Sequence, residues 1–416
     1  MLLVTNCGGQ PGTQPAHIQH PPGRAVLPQA TRMPGVSKQV ARTPEASTQA
    51  FPPVFPAYLK RKTASLSWIN GTDCQEGMQA YLATARTNPN AALVGTAWVN
   101  PLTGSLMNGY NNCIPGSSSM DNVVQLIHDN GGLAYLTITM STLGAGAWSA
   151  RQAADYVVEA TRNPAYIASI LYEVQGAGYD GVIMDLEGVD SSYPAIQQIF
   201  ATFNQRVWTA LRPLHKWYGI ALLHKLSDHD AQYKSDGFEN WTLLARAADF
   251  LVIMAVDQSE AAPGPSVSLP WLEQLLAYAV QKMPGMLSHI IWELPLYGDS
   301  WFWQDHTWKF EHVLTYQAAR TLVQQGIPPT LIDRQASDLG SEAPHLVYTA
   351  SDGTKHAVWY PTAHGLYATI VRFRQILQTL QQVEPAFIVG RLQIAVWWRT
   401  TQEPSDFWPL LDTLYR

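Results

Sequence analysis

Residues 176–190 read GAGYDGVIMDLEGVD and join a glycine-rich turn to an apolar run that ends in acids. Gly176, Gly178 and Gly181 spell G-x-G-x-x-G, which indicates a dinucleotide loop when it follows a strand and opens a helix. Here the order is reversed, because a helical pattern ends at the glycines and a β-rich run begins after them. We therefore interpret the glycines as a helix C-cap and a turn that lead into a buried strand.

In the strand after this turn, even-numbered and odd-numbered residues face opposite sides. Alternate residues of a strand share a face, so Ile183, Asp185 and Glu187 point one way. Met184 and Leu186 point the other way, and we expect them to face a layer of helices. Two carboxyl groups crowded at a strand end raise each other's pKa, so that one of them can act as an acid. A salt-bridged strand end without chemistry is the alternative.

The rest of the chain repeats this pattern of apolar strand and helix. The strand-like runs are ASLSWIN, AALVGTAWVNP, GGLAYLTITM, GVIMDLEGV, YGIALLHKL, DFLVIMAVDQ, HIIWELPLYG and RLQIAVWW. Near-continuous apolar strands separated by helices predict a parallel sheet covered on both faces. Eight such units favour an α/β fold of the closed (β/α)₈ TIM-barrel type. Active sites of such barrels lie at the carboxyl ends of the strands, which is where Asp185 and Glu187 would be.

Three regions follow from composition and spacing. Residues 1–62 are rich in Pro, Gln and Thr, which predicts a disordered tether, and residues 63–416 form the barrel domain. The connection after the seventh strand is too long for one helix. Residues 300–365 are therefore predicted as a small α+β insertion between strand 7 and helix 7, with SDGT as a hairpin turn. Such an insertion would form one side of a substrate groove.

The composition restricts the partners of the protein. A net charge of −6 and a pI of about 6.0 give no basic stripe, so we expect no nucleic-acid partner. The sequence contains no run of about eighteen apolar residues, so we expect no membrane-spanning segment. The 15 Trp and 18 Tyr residues are more flat aromatic surface than a core requires, and they suit binding of sugars. The oligomeric state is not encoded in any pattern, and we expect a monomer.

The N-terminal sequence and the cysteines bear on where in the cell the protein is found. MLLVTNCGGQPGTQP resembles the end of a bacterial lipoprotein signal without its charged beginning, with Cys7 as the lipid site. We expect an extracellular or cell-envelope protein, with lipid anchoring as one form of it. Cys74 and Cys113 then form an even pair suited to a disulfide, and three unrelated thiols are the alternative.

Several motifs resemble one known family. DGVIMDLE, residues 180–187, looks like the strand-four signature D-G-x-x-x-D-x-E of glycoside hydrolase family 18, especially its spore-germination and cortex-lytic peptidoglycan hydrolase branch. ADFLVIMAVDQ, HIIWELPLYGDSW and IAVWWRTTQEPSDFW are similar to its sixth, seventh and last strands, and KHAVWYP resembles its late insertion. In order, these motifs cover most of residues 63–416. The resemblance therefore implies the same barrel that the strand pattern predicts.

The resemblance implies retaining, substrate-assisted hydrolysis of β-1,4-linked N-acetylglucosamine-containing glycans such as peptidoglycan or chitin. Glu187 would be the general acid, and Asp185 would hold the acetamido group whose oxygen attacks the anomeric carbon. Asp257 would contact the acetamido group or neighbouring hydroxyls. Asp180 and Gly181 would be structural parts of the signature. The rings implied for sugar subsites are Tyr297, Trp301 and one of Trp397 or Trp398, with ordinary packing as the alternative for each.

Two positions depart from the family pattern. Ile183 stands where Asp or Asn is usual, so an apolar neighbour should raise the pKa of Asp185 by desolvation. Val256 stands where a Tyr hydroxyl is expected to hold the acetamido oxygen, and loss of such a donor costs roughly a hundredfold or more in rate. Tyr193 and Tyr297 are the candidates to replace it.

No other chemistry is indicated. We expect no metal and no cofactor, since the chain has no H-E-x-x-H, nucleophile elbow or phosphate loop. His224 and His229 in HKLSDH lack a ligand spacing and are expected at the surface. The rival functions are a barrel that binds N-acetylated glycans without turnover and a structural envelope protein with a vestigial cleft. Catalysis is favoured because the acid, Glu187, is present.

Overall fold

The computed structural model describes eleven segments of the chain. They are residues 65–68, 74–85, 91–99, 106–108, 121–140, 149–228, 236–259, 261–327, 343–383, 392–397 and 406–413. The predicted tether, residues 1–62, lies outside them, as do Cys7, Cys113 and Trp398.

Eight parallel strands form a closed barrel. They are β1 (Ser65–Trp68), β2 (Ala91–Val99), β4 (Ala134–Met140), β5 (Gly181–Leu186), β6 (Trp217–Leu223), β7 (Phe250–Met254), β8 (Ile290–Pro295) and β13 (Gln393–Trp397). Each pairs in parallel with its neighbours, and β1 pairs with both β13 and β2, so the sheet closes on itself. A short strand, β3 (Leu106–Asn108), adds to β2 in the antiparallel sense. The predicted (β/α)₈ fold is confirmed.

Helices follow the strands and form the outer layer. In the described segments they are α1 (Cys74–Ala85), α2 (Asp121–Asp129), α3 (Ala150–Arg162), α4 (Pro164–Ala177), α5 (Ile196–Leu211), α6 (Trp241–Leu244), α7 (Leu269–Lys282), α8 (Tyr316–Gln324), α9 (Ala363–Val383) and α10 (Phe407–Thr413). Short 3₁₀ turns occupy Arg212–Leu214, Asp236–Phe238 and Pro284–His289. None of the helices in these segments is both long and apolar enough to span a membrane.

The barrel has two apolar layers, and β5 contributes to both. Met184 and Leu186 lie in the large cluster between the strands and the helices, which we call the outer cluster. Ile183 lies in the smaller cluster inside the barrel, the inner cluster, together with Phe250 and Val252 of β7. The predicted alternation of β5 side chains between the two layers is therefore confirmed, because the period of two holds across a fully buried strand.

The turn before β5 is built as a helix cap. Gly178 follows α4 with φ of 80° and ψ of 20°, the left-handed conformation that glycine adopts without steric cost. Asp180 then joins the turn to the barrel, because its carboxylate accepts hydrogen bonds from the Ala134 amide and from His128 Nε2, both at 2.8 Å. This confirms the cap-and-turn interpretation, and the predicted structural role of Asp180 agrees with these contacts.

The connection from β8 to α9 contains a second sheet. Its four antiparallel strands are β9 (Tyr297–Gln304), β10 (Thr307–Thr315), β11 (His345–Thr349) and β12 (Lys355–Trp359), in the order β10-β9-β12-β11. The sheet begins three residues before the predicted limit of 300 and ends within the limit of 365. The SDGT hairpin joins β11 to β12, with Ala350 N donating to Thr354 O at 2.8 Å. One face of this sheet packs on α8.

Candidate active site

Asp185 lies at the end of β5 and points into the barrel. Its side chain is buried, and one oxygen, Oδ1, has no hydrogen-bond partner among the described residues. Burial raises the pKa of Asp185 well above its ordinary value, and the neighbouring Glu187 carboxyl raises it further. Ile183 supplies part of the apolar surroundings one step deeper on the same face. Asp185 is therefore a carboxyl that holds its proton readily.

Glu187 follows β5 directly, at the carboxyl end of the barrel. Burial raises its pKa from 4.5 to about 7, and the negative charge of Asp257 contributes to the shift. The side chain is only partly buried and keeps some access to solvent. A carboxyl group with this pKa can donate a proton near neutral pH and take one back later.

Asp257 reaches the same place from β7. The chain leaves β7 at Met254, and Asp257 adopts φ of 59°, a left-handed conformation that is uncommon outside glycine but tolerated by Asp. Tyr297 donates a hydrogen bond from its hydroxyl to Asp257 Oδ1 at 2.6 Å. Burial raises the pKa of Asp257, and the bond from Tyr297 opposes that shift. Such a backbone outlier is typical of functional sites.

Two further carboxyl groups surround Tyr297 and were missed in the sequence. Burial raises the pKa of the Tyr297 hydroxyl well above its ordinary value, and the Asp257 charge adds to this; Asp299 and Glu293 act in the same direction. Both are almost fully buried, and Asp299 accepts a hydrogen bond from Ser266. Parity could have found Glu293, which shares the inward face of β8 with Ile291.

The two departures from the family pattern have different surroundings. Ile183 is fully buried in the inner cluster, where it sits below Asp185. Val256 is also in that cluster and is slightly exposed at its upper end. Of the two candidates to replace the missing hydroxyl, Tyr297 is engaged with Asp257. Tyr193 instead packs against the outer cluster, with the Arg151 guanidinium 4.3 Å from its ring centre.

The predicted subsite rings separate into two groups. Trp397 is only partly buried and packs against the inner cluster at the barrel mouth, whereas Tyr297 in the same cluster is 2% exposed. Trp301 is fully buried beside Trp359 in the second sheet, so its ring presents no free face to a sugar in this structure. Ordinary packing, the alternative for each ring, describes Trp301. Trp398 lies outside the described residues.

The described residues contain no cluster of three or more His, Cys, Asp or Glu side chains arranged to hold a metal. His224 was expected at the surface, and this is wrong. It is buried and meets the edge of Trp271 at 4.8 Å, since the residues after β6 turn inward beneath α7.

Comparisons with known proteins address the fold. No protein-family model matches the sequence, and no curated protein matches it. A chitinase from Chromobacterium violaceum is similar in structure, with a TM-score of 0.64 and 20% identity over 85% of this chain and 100% of that one. The Bacillus cereus spore cortex-lytic enzyme SleL has a TM-score of 0.65 and 19% identity over 86% of this chain and 75% of its own.

A class V chitinase from Pseudomonas fluorescens gives a similar result, with a TM-score of 0.62 and 18% identity over 84% of this chain and 99% of that one. At these identities the likeness concerns the fold. It agrees with the resemblance of the sequence motifs, which span the same barrel. The chain therefore has the chitinase-like (β/α)₈ fold that is shared by these chitinases and the spore cortex-lytic enzyme.

Proposed function

We propose that this protein is a glycoside hydrolase that cleaves β-1,4-linked glycans containing N-acetylglucosamine. The observation that carries the proposal is the pKa of about 7 at Glu187, at the carboxyl end of the barrel. A barrel enzyme places its reactive groups at this end. Burial and the nearby charge of Asp257 keep the proton on Glu187 near neutral pH, because both disfavour its ionisation.

The proposed reaction has two steps. In the first, Glu187 gives its proton to the glycosidic oxygen while the carbonyl oxygen of the substrate's own acetamido group attacks the anomeric carbon and the carbon–oxygen bond breaks. Asp185 holds the acetamido nitrogen in place. In the second step, Glu187 takes a proton from water, which attacks the same carbon and restores the acetamido group. Two displacements at one carbon retain its configuration.

Two further observations support a glycan substrate. Solved structures with this fold include enzymes named as chitinases and as a spore cortex-lytic enzyme. Trp397 brings a partly exposed aromatic ring to the mouth of the barrel. Rings of this kind bind the apolar faces of pyranose sugars.

The test compares wild-type protein with Glu187→Gln on peptidoglycan and on chitin oligosaccharides, with release of reducing ends as the measurement. We expect the variant to lose at least roughly a hundredfold in kcat, since general acid catalysis contributes that much or more. Glu159→Gln is the matched control, because Glu159 is an exposed glutamate on α3. Equal activity of wild type and Glu187→Gln, or no activity of the wild type on either substrate, contradicts the proposal.

A second candidate function is glycan binding without turnover. The apolar side chains of Ile183 and Val256 in the inner cluster favour it, because neither offers a hydrogen bond to an acetamido group. It predicts oligosaccharide binding in calorimetry with no product after long incubation. Detectable hydrolysis that depends on Glu187 excludes it.

We also propose that the protein works in the cell envelope or outside the cell, where such glycans occur. Lipid attachment at Cys7 is the specific form of this proposal, on the strength of the sequence around it. Cell fractionation of the wild type and Cys7→Ser tests it. Release of the variant from the membrane fraction is expected, and an unchanged cytoplasmic distribution of both contradicts export.

A further inference from the structure

Two buried polar atoms lie on neighbouring strands of the barrel, close to the candidate active site. Thr137 of β4 is 1% exposed, and its hydroxyl oxygen makes no hydrogen bond within the described segments. The same holds for Oδ1 of Asp185 on β5. A buried polar group without a partner costs free energy, so most such groups in native proteins bond to another group or to an ordered water. These two atoms therefore require a hydrogen-bonding explanation.

The alternation of the strands directs both atoms to the inside of the barrel. Tyr135 belongs to the inner cluster and Leu136 to the outer cluster, so Thr137 faces inward. Thr137 pairs with Ile183 across the two strands, and Asp185 is the next inward residue of β5. The hydroxyl group thus lies one layer below the carboxyl group, on the neighbouring strand.

The spacing between the two side chains suits one bridging water. Neighbouring strands lie about 4.8 Å apart and two residues advance about 6.6 Å, so the two Cβ atoms are roughly 8 Å apart. Both oxygens can extend into this gap. A water that makes two hydrogen bonds of about 2.8 Å joins atoms that are roughly 5–6 Å apart. The pair is therefore placed for a water-mediated contact.

The side chains around Asp185 leave space for such a water. The register of β5 with β6, continued by one residue, brings Ala221 beside Asp185. Ala221 belongs to the inner cluster, and its side chain is a single carbon. Ile183, one layer below Asp185 on β5, is apolar and offers no hydrogen bond. Thr137 therefore supplies a hydroxyl group on the deeper side of Asp185, where Ile183 supplies none.

We propose that Thr137 is a positioning residue that acts on Asp185 through one buried water. The water accepts the hydrogen of the Thr137 hydroxyl and donates one of its own to Asp185 Oδ1. Asp185 is thereby held in one orientation, with Oδ2 directed to the acetamido nitrogen of the substrate. This inference rests on the proposed function and adds to it a residue that no sequence motif indicated.

Titratable groups on three elements determine the charge at this end of the barrel. Glu187, directly after β5, raises the pKa of Asp185 by its charge, in addition to the larger effect of burial. Asp257, after β7, acts in the same way on Glu187, and Tyr297 of β9 is bonded to Asp257. Burial and like charge thus favour the neutral form of Asp185, whereas a donor at Oδ1 favours the ionised form. The ionised form is the one that accepts a hydrogen bond from an acetamido N–H.

The kinetic experiment compares Thr137→Val with Thr137→Ser in the full chain, with chitin oligosaccharides as substrate. Valine has the shape of threonine without the hydroxyl, and serine keeps the hydroxyl. We expect Thr137→Val to lose roughly fivefold to tenfold in kcat, the effect of about one hydrogen bond. The acidic limb of its pH profile should move to higher pH, because Asp185 then ionises less readily. Thr137→Ser should keep both kcat and the position of this limb.

Thr369→Val is the matched control, because Thr369 is also a buried threonine. It lies on α9, outside the barrel, and its hydroxyl bonds to the carbonyl oxygen of Gly365 at 3.1 Å. Its kcat and pH profile should match those of the wild type. If Thr137→Val behaves like Thr369→Val and differs from the wild type in melting temperature alone, the hydroxyl serves packing and the proposal is overturned.

A second measurement separates this inference from the proposed function. If the wild-type protein hydrolyses neither chitin oligosaccharides nor peptidoglycan, the proposed function fails, but the pKa of Asp185 still reports the contact. NMR titration of protein with isotope-labelled aspartate carboxyl groups measures this pKa, and Asp185→Asn assigns the signal. A higher pKa in Thr137→Val than in Thr137→Ser supports the contact, and equal values overturn it. A wild-type crystal structure without a water within about 3.2 Å of both oxygens also overturns it.

Discussion

At the residue scale, the candidate site consists of carboxyl groups whose pKa values the fold raises. Burial is the larger cause at Asp185, Glu187 and Asp257, and like charge adds to it at the first two. Each carboxyl group would be ionised at neutral pH in an unfolded chain. The fold therefore stabilises neutral forms that chemistry can use, at a cost in stability when they ionise.

The first prediction concerns the pH dependence of catalysis. Glu187 must carry its proton in order to protonate the leaving glycosidic oxygen, and its pKa is about 7. We expect kcat/KM to fall tenfold per pH unit above about pH 7, because the protonated fraction of the acid falls in that way. A profile from about pH 5 to about pH 9 checks this. An upper limb that begins above about pH 8 would show that another group supplies the proton.

The second prediction concerns Tyr297→Phe. The hydroxyl of Tyr297 lowers the pKa of Asp257 by donating to it, so its loss raises that pKa and leaves Asp257 neutral more often. Less negative charge beside Glu187 then lowers the pKa of Glu187. We expect the upper limb of the pH profile to move to lower pH.

Tyr193→Phe is the control for this shift, since Tyr193 lies at the outer cluster. Its profile should match that of the wild type. A shift of the Tyr297→Phe profile to higher pH would contradict the electrostatic connection from Tyr297 through Asp257 to Glu187.

The third prediction concerns stability. Folded Glu187 holds its proton up to about pH 7, whereas its ordinary pKa is 4.5. The folded state thus binds more protons than the unfolded state between these values, and the free energy of unfolding falls as pH rises through them. Glu187→Gln cannot ionise. We expect it to be more stable than wild type at about pH 8 by on the order of 2 kcal/mol, allowing for partial exposure, and to converge with it near about pH 4.

Urea denaturation at both pH values measures this difference. Glu159→Gln, at an exposed position, should show no such dependence on pH. A difference between Glu187→Gln and wild type that stays constant with pH would mean that the effect is packing and not ionisation.

At the element scale, the turn from α4 into β5 sets the position of the acids. Gly181 has no room for a side chain, because an added Cβ would lie 2.4 Å from the carbonyl oxygen of Trp217 on β6. Gly176 has open space around the same position and lies within α4. A side chain at position 181 would therefore clash with β6, whereas a side chain at position 176 would fit.

The fourth prediction uses this contrast. Gly181→Ala should destabilise the fold by about 2–3 kcal/mol, because the backbone of β6 must move. Gly176→Ala should stabilise it by about 0.5–1 kcal/mol, since Ala is the better helix former. Thermal and urea unfolding of both variants check the signs. Equal effects of the two substitutions would contradict the assignment of the motif as a helix end and a strand start.

At the scale of the whole molecule, the barrel depends on its first strand. β1 is only four residues long and pairs with both β13 and β2, so it closes the sheet. Removing it would leave two strand edges with unpaired backbone groups, which costs free energy and invites aggregation. The residues before it carry the composition of a tether.

The fifth prediction follows from this closure. Deletion of residues 1–62 should leave the melting temperature within about 2 °C of the full chain, because a tether contributes little to stability. Deletion of residues 1–70 also removes β1 and should abolish cooperative unfolding. Circular dichroism melts of both truncations test it, and equal behaviour of the two would contradict either the tether or the role of β1.

The sequence by itself determined the barrel, the parity of β5 and the end at which its acids lie. These follow from local periods: alternate residues of a strand face opposite sides, and repeated strand–helix units of crossover length stack in parallel. Asp185 and Glu187 were found in this way, and so was the glycine cap. Glu293 obeys the same alternation on β8 and could have been found in the same way.

Only the tertiary structure decided which side chains meet across the barrel. The bond from Tyr297 to Asp257 joins residues forty positions apart, and the charges around Glu187 come from separate strands. The burial of Trp301 and the exposure of Trp303, two residues away on the same face, also depend on what covers each place. Strand period fixes direction along one element, whereas burial, distance and pKa depend on how the closed sheet and the insertion bring distant elements together.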